Sequence, residues 1–251
     1  MKNKVVLAAN AISHTFKHVK ALENISLGLE RETFTCLVGP SGCGKSTLLR
    51  ILAGLIRPDQ GAVFLNGDPL IQPRREISLA FQSANLMPWR TVRQNIVLPL
   101  EIAGIAVRER ERRADHLLAL LDLEDFGDVY PAALSGGMAQ RLAIGRALIH
   151  DPEVLLLDEP FGSLDALTRE QVSEELLRIW SQDRKTVLMV THSIQEAVLL
   201  SDRVVVMSPR PGHLLADFQI DLPRPRSLEM VTEPEFAALE AKIRATLRLK
   251  L

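Results

Sequence analysis

The sequence predicts a three-layer α/β domain interrupted by a mostly helical segment, and three features carry that prediction. The apolar run TFTCLVG leads directly into a glycine-rich loop and then a helix. From residue 154 onward, continuous apolar runs alternate with amphipathic helices, as in a buried parallel sheet covered by helices. Between these parts, from about 91 to 150, the spacing of apolar residues is helical.

The first third of the chain predicts strands and one helix. Residues 4–38 alternate short apolar runs with polar turns, which is typical of strands, and STLLRILAGL at 46–55 has helical spacing. In VFLNGDPL, the pair Asn66-Gly67 indicates a hairpin turn. ISLAFQ at 77–82 is the next predicted strand.

The rest of the chain predicts two further helices and then the second half of the sheet. RERERRADHLLALLDL and MAQRLAIGRALIH form the helices of the inserted segment. The elements predicted after them are the strand VLLLDEP, a helix at about 168–182, the strand TVLMVTH, the short helix IQEAVLLS and the strand RVVVMSP. The tail is proline-rich from Pro209 and ends in an amphipathic helix, PEFAALEAKIRATLRL.

Composition narrows the class of function. The net charge of −1 gives no electrostatic case for nucleic-acid binding. The two cysteines, Cys36 and Cys43, argue against a disulfide framework and favour a reducing cytosol. No apolar stretch reaches the length of about 18 residues that a membrane helix needs. The N-terminal MKNKVVLAANAISH is predicted to be a first strand rather than a signal peptide, so any work at a membrane is expected to go through a partner.

The segment GPSGCGKST fits the pattern G-x-x-x-x-G-K-[ST] of a phosphate-binding loop. We call it the phosphate loop; its residues are Gly39, Pro40, Ser41, Gly42, Cys43, Gly44, Lys45, Ser46 and Thr47. Its glycines allow backbone N–H groups to converge on phosphate oxygens, and the helix that follows directs its positive end at the same oxygens. Lys45 can reach the β- and γ-phosphates, and the Ser46 hydroxyl can bind Mg²⁺.

The strand VLLLDEP supplies two carboxylates at its carboxyl end, where ligands collect in open α/β sheets. Asp158 can hold Mg²⁺ through the water shell of the ion. Glu159 can orient or deprotonate a water that attacks the γ-phosphate. Two adjacent acids in isolation would more often be a solvated strand end, but the phosphate loop favours the catalytic interpretation.

A second loop, LSGGMAQR, also has the shape of a phosphate cradle, although it contains no lysine. The Ser135 hydroxyl and the amides of Gly136 and Gly137 can donate to phosphate oxygens, and the helix from Met138 adds its N-terminal dipole. We call Leu134–Arg141 the signature loop. The Met138 thioether cannot donate a hydrogen bond or accept one strongly, so any hydrogen bonds to phosphate must come from the Ser135 hydroxyl, the two glycine amides and the helix end.

Taken together, these motifs make the sequence resemble the ATP-binding subunits of ABC transporters over almost its whole length. The further matches are Gln82 with the Q-loop glutamine, SLD at 163–165 with the D-loop, His192 with the switch histidine and Phe16 with the aromatic that stacks on adenine. The resemblance implies a P-loop NTPase with a RecA-like three-layer core and an N-terminal antiparallel β region. It also implies one nucleotide-binding domain over 1–251, with an inserted helical subdomain at about 83–150 that carries the signature loop, and a short extension at about 212–251.

The resemblance also implies roles for single residues. Gln82 contacts Mg²⁺ or the attacking water, and His192 contacts the γ-phosphate. Phe16 stacks on the adenine of ATP; the alternative is an ordinary core or edge aromatic. Asp165 is a dimer contact; the alternative is a cap on the helix ALTREQVSEEL.

The implied assembly is a head-to-tail homodimer in which each ATP lies between the Lys45 loop of one chain and Ser135–Gly137 of the other. ATP joins the subunits and hydrolysis releases them. The other implied partners are membrane permease subunits and, indirectly, a periplasmic or extracellular solute-binding protein. Leu86–Trp89, within SANLMPWRTVRQNIVLPL, is the candidate permease contact. The expected location is the cytoplasmic face of the bacterial plasma membrane, peripheral through the permease.

The amino-acid sequences of several short segments indicate a subclass of ABC ATP-binding subunits. LSGGM, LMPWRTVRQNI, DALTR and SPRPG resemble the nitrate, sulfonate and taurine importer group, and importers of pyrimidine or thiamine precursors share similar wording. Two hypotheses of other classes remain: a soluble ABC ATPase acting on DNA or ribosomes, and a P-loop kinase of small molecules. The near-zero charge disfavours the first. The second leaves LSGGM and His192 without a role.

Overall fold

The computed structural model describes residues 5–248 and contains ten strands and seven α-helices over that range. The first four residues of the predicted first strand and the last three of the predicted C-terminal extension lie outside it. The elements are β1 (Val5–Phe16), β2 (Val19–Glu30), β3 (Phe34–Val38), α1 (Lys45–Leu52), β4 (Gln60–Leu65), β5 (Asp68–Pro69), β6 (Ile77–Ala80), α2 (Val92–Ile102), α3 (Val107–Leu120), α4 (Gly136–Leu148), β7 (Val154–Asp158), α5 (Ala166–Gln182), β8 (Thr186–Thr191), α6 (Ile194–Leu200), β9 (Arg203–Met207), β10 (Leu214–Gln219) and α7 (Pro234–Arg248).

The N-terminal part forms an antiparallel sheet in the order β2-β1-β4-β5. β4 and β5 are joined through Asn66 and Gly67, whose φ angles are 55° and 90°. Two consecutive positive φ angles define the turn that suits the twist of a two-residue hairpin. The hairpin predicted from the Asn-Gly pair is therefore confirmed.

The second sheet has six strands in the order β10-β9-β3-β8-β7-β6. Its members run parallel except β10, which pairs antiparallel with β9. β3, β7 and β8 are buried along their whole length, which explains their continuous apolar runs. Because the strands are parallel, the segments that follow β3, β6, β7 and β8 emerge at one edge of the sheet, where the predicted site residues lie.

Helices cover both faces of this sheet and make three layers. α1 packs with the antiparallel sheet against one face, in a core that includes Leu49 and Ile25. α5, α6 and α7 contribute to the core on the other face, which includes Trp180 and Phe236. None of the helices in residues 5–248 is long and apolar enough to cross a bilayer.

The chain between β6 and β7 forms a separate helical core. α2, α3 and α4 bury a cluster of their own, to which α5 adds Ile179. α4 approaches the end of α3 so closely that a Cβ on Gly145 would lie 2.3 Å from Cδ1 of Leu121. The helices predicted here from sequence are present, while the boundaries assigned to the inserted subdomain stay a prediction.

The C-terminal part is attached to the core by a buried cation. The Arg226 guanidinium donates to the carbonyls of Val198, Leu199 and Ser201 at the end of α6, and to two carbonyls in the segment after β10. Burial lowers its pKa to about 10, so it remains a cation at neutral pH. Cations are favourable at helix C-termini, and Arg226 therefore ties the segment after β10 to α6.

Candidate functional site

The phosphate loop runs from the end of β3 into the first turn of α1. Gly42 and Gly44 have φ angles of 75° and 106°, a region that residues with a side chain rarely adopt. A Cβ on Gly44 would also lie 2.7 Å from Cδ2 of Leu22 and 2.9 Å from the carbonyl of Ala21. Glycine is required at this position by both conformation and space, and the first N–H groups of α1 remain available to a ligand.

The Lys45 ammonium lies inside the phosphate loop, beside its first residues. Its side chain is 4% exposed, and Nζ donates to the carbonyls of Gly39 at 2.9 Å and Pro40 at 3.1 Å. Nζ also lies 3.7 Å from Oε1 of Glu159. A cation is thus held at the centre of the loop, where the phosphates of a nucleotide would supply its counter-charge.

Ser46 and Asp158 meet across the sheet edge. Oγ of Ser46 donates to Oδ1 of Asp158 at 2.7 Å, and Asp158 is almost completely buried. Burial raises the pKa of the Asp158 carboxyl, and the Ser46 hydrogen bond opposes that rise. A hydroxyl and a carboxylate side by side provide the oxygen ligands that Mg²⁺ prefers, so Ser46 and Asp158 fit that ion.

Glu159 follows β7 with a φ of 45°, the left-handed region that costs a non-glycine residue of the order of 1–2 kcal/mol. Its amide donates to the carbonyl of Val190 at 2.9 Å, which fixes the turn against β8. Oε2 of Glu159 lies 3.1 Å from Nδ1 of His192, the residue after β8. The two residues predicted to meet at this edge do meet, and the strained backbone orients the carboxylate toward Lys45 and His192.

Gln82 lies two residues after β6 on the same edge. The Nε2 atom of Gln82 and the Oε2 atom of Glu159 both lie near Gly162. A Cβ added to Gly162 would be 3.5 Å from Gln82 Nε2 and 3.6 Å from Glu159 Oε2. The Gln82 amide and the Glu159 carboxylate therefore face one small space above the sheet. The sequence predicted this grouping from the strand ends alone.

A cavity of about 410 Å³ opens above the phosphate loop. It is lined by Phe16, Val19 and Ala21 from the antiparallel sheet, by Gly42, Gly44, Lys45, Ser46 and Thr47, and by Glu159 and Arg210. Phe16 is half exposed and packs edge-on against His14, with ring centroids 4.5 Å apart. This exposure rules out a core aromatic, while the adenine contact and the alternative of an edge aromatic both stay predictions. The sequence did not predict Arg210, although SPRPG contains it.

A second, larger cavity of about 520 Å³ lies among α3 and the carboxyl ends of α4 and α5. Within residues 5–248, no side chain predicted for phosphate or metal binding lines it. Its charged residues are already paired, as Lys185 is with Asp151 and Asp183. Size alone would select this cavity, but the predicted site residues Lys45, Ser46 and Glu159 line the smaller one.

The signature loop lies elsewhere in the same chain. Ser135 caps α4, and its Oγ accepts from the Met138 amide at 3.2 Å. The helix starts at Gly136, two residues earlier than predicted, so the amides of Gly136 and Gly137 belong to its first turn. The Met138 side chain packs against the helical core. Within the described chain, none of Ser135–Gly137 lines the cavity above the phosphate loop.

Gly137 packs directly on α5. A Cβ at this position would lie 2.6 Å from Cγ2 of Thr168, a distance that real Cβ contacts essentially never show. Gly136, by contrast, is exposed, and its Cβ would lie 3.4 Å from Cδ2 of Leu164. The two glycines therefore serve different purposes, because only the second is required for packing.

Asp165 caps α5. Its carboxylate accepts from the Thr168 amide at 3.1 Å and from the Thr168 hydroxyl at 2.6 Å, and these bonds lower the pKa of Asp165. The alternative interpretation as a helix cap is therefore confirmed. The side chain is exposed, so its proposed part in a dimer contact stays a prediction.

Comparison with known proteins points to one family. The family model described as ABC transporter matches residues 22–162. The chain is 48% identical to an uncharacterized ABC transporter ATP-binding protein of Methanocaldococcus jannaschii, over 96% of this chain and 90% of the relative. It is 44% identical to a taurine import ATP-binding protein of Rhizobium johnstonii, over 91% and 89% of the two chains. It is also 44% identical to a nitrate import ATP-binding protein of Synechococcus elongatus, over 88% and 82%.

A solved structure shares the fold. It is a dimeric ATP-binding cassette in a post-hydrolysis state with ADP and Pi bound, and its TM-score to this chain is 0.76 at 31% sequence identity. The similarity covers 86% of this chain and all of that one. The phosphate loop, β7 with Asp158, and Glu159 all lie within the segment that the family model matches.

Proposed function

The chain belongs to the ABC transporter family and hydrolyses ATP, and we propose that it does so as the subunit that drives an importer through a separate membrane permease. The observation that carries the proposal is the convergence of Lys45, Ser46 with Asp158, and Glu159 with His192 at one edge of a P-loop NTPase sheet. The proposed location is the cytoplasmic face of a bacterial plasma membrane.

The proposed solute is a small anion such as nitrate, a sulfonate or taurine. Support comes from relatives that are named for taurine and nitrate import and share 44% of the sequence over most of both chains. A pyrimidine or thiamine precursor is the alternative solute. The solute itself would be selected by a permease and a solute-binding protein rather than by this chain.

In the proposed mechanism, Lys45 and the phosphate-loop amides bind the β- and γ-phosphates of ATP. Ser46, Gln82 and Asp158, the last through water, would hold Mg²⁺, and the ion would supply positive charge to offset the charge of the phosphate oxygens. Glu159 accepts the proton of the attacking water, and its strained backbone keeps the carboxylate pointed at the reacting space. His192 orients Glu159 and reaches the γ-phosphate from the next strand end.

The proposed active form is a head-to-tail dimer. In one chain the cavity above the phosphate loop is open, and the exposed Ser135 and Gly136 lie outside it. A second copy could bring its signature loop over the γ-phosphate and supply a serine hydroxyl and helix N-terminal amides. The dimeric cassette with ADP and Pi, similar to this chain over 86% of its length, supports such an assembly.

The proposed permease contact is Leu86–Trp89, and the structure of this segment supports a docking role. The fully buried Asn95 accepts from the Met87 amide and donates to the carbonyls of Met87, Arg90 and Thr91. One buried side chain therefore ties Met87 and Arg90 to the start of α2. Trp89 in this segment is 71% exposed, and tryptophan is one of the residue types enriched among those that dominate binding energy at interfaces.

The experiment is co-purification of this chain with a co-expressed candidate permease. Trp89→Ala is expected to reduce recovery of the complex at least tenfold while leaving the ATPase activity of the isolated chain unchanged. Ile71→Ala is the matched control, because Ile71 is equally exposed but lies just after β5. If the wild-type chain binds ribosomes or DNA and no permease, the importer proposal is wrong and the chain is a soluble ABC ATPase.

A further inference from the structure

The segment SPRPG, which follows β9, lies against the phosphate loop although it is far from it in sequence. Gly212 donates to the carbonyl of Ala21 at 3.0 Å, and its own carbonyl accepts from the Glu23 amide at 2.9 Å. A Cβ on Gly212 would lie 2.2 Å from the carbonyl of Cys43. Buried Ser208 bonds to the carbonyls of Pro209 and Pro211 through Oγ. The turn is therefore fixed in direct contact with the phosphate loop.

This turn positions the Arg210 guanidinium on the loop itself. Nε and Nη2 donate to the carbonyl of Gly42 at 3.1 and 2.8 Å, which fixes the plane of the group. Nη1 has no protein acceptor among residues 5–248. Arg210 is exposed and lines the same cavity as Phe16 and Lys45.

The charged side chains that line the cavity indicate what the Arg210 guanidinium could bind. Lys45 is buried beneath the loop and is the other cation in the lining, while Glu159 is the acid. A nucleoside triphosphate keeps net negative charge even when Mg²⁺ is bound to it, and one ammonium near a carboxylate offsets little of what remains. A guanidinium with an unused edge, already held rigid, matches phosphate oxygens and loses little side-chain entropy on binding.

We propose that Arg210 is a nucleotide-binding residue whose free guanidinium edge contacts a phosphate group of bound ATP or ADP. The inference rests on the proposed nucleotide site and adds a second cationic contact to it. The competing explanation is structural: Arg210 only holds the phosphate loop in shape through the Gly42 carbonyl. The two explanations differ in what the positive charge does once nucleotide binds.

The test is nucleotide binding by the isolated full-length chain over a range of salt concentrations. Arg210→Ala is expected to raise the dissociation constants for ATP and ADP about tenfold, the loss of one charge-assisted contact. The dependence of log Kd on log salt is expected to become shallower, because one fewer cation meets the phosphates. Arg210→Lys, which keeps the charge and loses the planar grip on Gly42, is expected to retain the wild-type salt dependence.

Arg178→Ala is the matched control, since Arg178 also donates from an exposed position to a backbone carbonyl, that of Leu120. It is expected to bind nucleotide like the wild type. The inference is overturned if Arg210→Ala binds like this control, or if it weakens binding without changing the salt dependence. Lys45→Ala distinguishes failure of the proposed nucleotide site from failure of the Arg210 inference. If Lys45→Ala still binds nucleotide, the proposed site is wrong. If Lys45→Ala loses binding and Arg210→Ala binds normally, only the Arg210 inference is wrong.

Discussion

Oε2 of Glu159 lies 3.1 Å from Nδ1 of His192, and the two side chains come from the ends of adjacent parallel strands. The contact joins the residue after β7, which is the proposed base, to the residue after β8, which is the proposed γ-phosphate contact. Their separation is set by the inter-strand spacing of the sheet and by the bend at Glu159. A displacement of either side chain would therefore disturb the other.

Replacing Glu159 with Gln is expected to lower ATP turnover by about 100-fold or more, because an amide cannot accept the proton of the attacking water. Binding of ATP is expected to persist, since Lys45 and the phosphate loop are unchanged. Gel filtration with ATP is expected to reveal a stable dimer. Glu170→Gln, an exposed change on α5, serves as the control and should retain activity. Wild-type turnover in Glu159→Gln would remove the general-base assignment.

Ser135→Asp tests the shared phosphate site without removing the helix cap. Aspartate caps helices as well as serine does, so α4 is expected to remain intact. Its carboxylate would repel the γ-phosphate held by the partner chain. We expect near-normal ATP binding by the monomer, no ATP-driven dimer and no turnover; Lys45→Ala should instead lose binding itself. Equal loss of monomer binding in both variants would contradict a site shared between chains.

Gly137→Ala is expected to destabilise the protein by about 1–2 kcal/mol despite the higher helix propensity of alanine, because the added methyl overlaps Thr168. Gly136→Ala should cost less, since its Cβ meets only ordinary packing at 3.4 Å. Thr168→Ser removes Cγ2 and keeps the hydroxyl that bonds Asp165, so the double variant with Gly137→Ala should recover stability. Urea unfolding compares the wild type, the three single variants and the double variant, and a double variant no more stable than Gly137→Ala would refute the overlap.

Glu196 predicts a pH dependence of stability. Its buried carboxylate accepts from the Thr191 hydroxyl at 2.6 Å and lies 3.7 Å from Nε of Arg169. Burial raises its pKa, outweighing both contacts. The folded state then binds the proton more tightly than the unfolded state, so this group's contribution to stability is present below about pH 4.5 and is lost as pH rises through the raised pKa.

Glu196→Gln cannot ionise, so it removes the loss of stability that Glu196 causes as pH rises. The free energy of unfolding of this variant, relative to the wild type, is expected to increase with pH across the window and then level off. Urea unfolding between pH 4.5 and 8 measures the difference, and Glu170→Gln provides a surface control. A difference that stays constant or falls with pH would be the wrong sign for a raised pKa.

The sequence predicted what short motifs and strand ends specify. The phosphate loop, Asp158 with Glu159, and His192 each sit next to a strongly apolar strand, so their position at one edge follows from parallel pairing. Arg210 could not be found this way, because its contact with Gly42 joins residues far apart in the chain. β10 was missed because it is a half-buried edge strand with mixed polarity, flanked by prolines. The start of α4 was placed two residues late because glycines are poor helix formers and Ser135 alone marks the cap.

The strand order of the large sheet bears on how this protein is made. β3, which carries the phosphate loop, is hydrogen-bonded between β8 and β9, and both of these strands come from the last third of the chain. During synthesis the loop therefore leaves the ribosome long before the strands that hold it. Pairings this distant in sequence fold slowly, and unpaired apolar strands are prone to aggregate in the meantime. Until β9 has been synthesised as far as Met207, β3 lacks one of its two neighbouring strands, so we expect nucleotide to stabilise the full chain but not products truncated before β9.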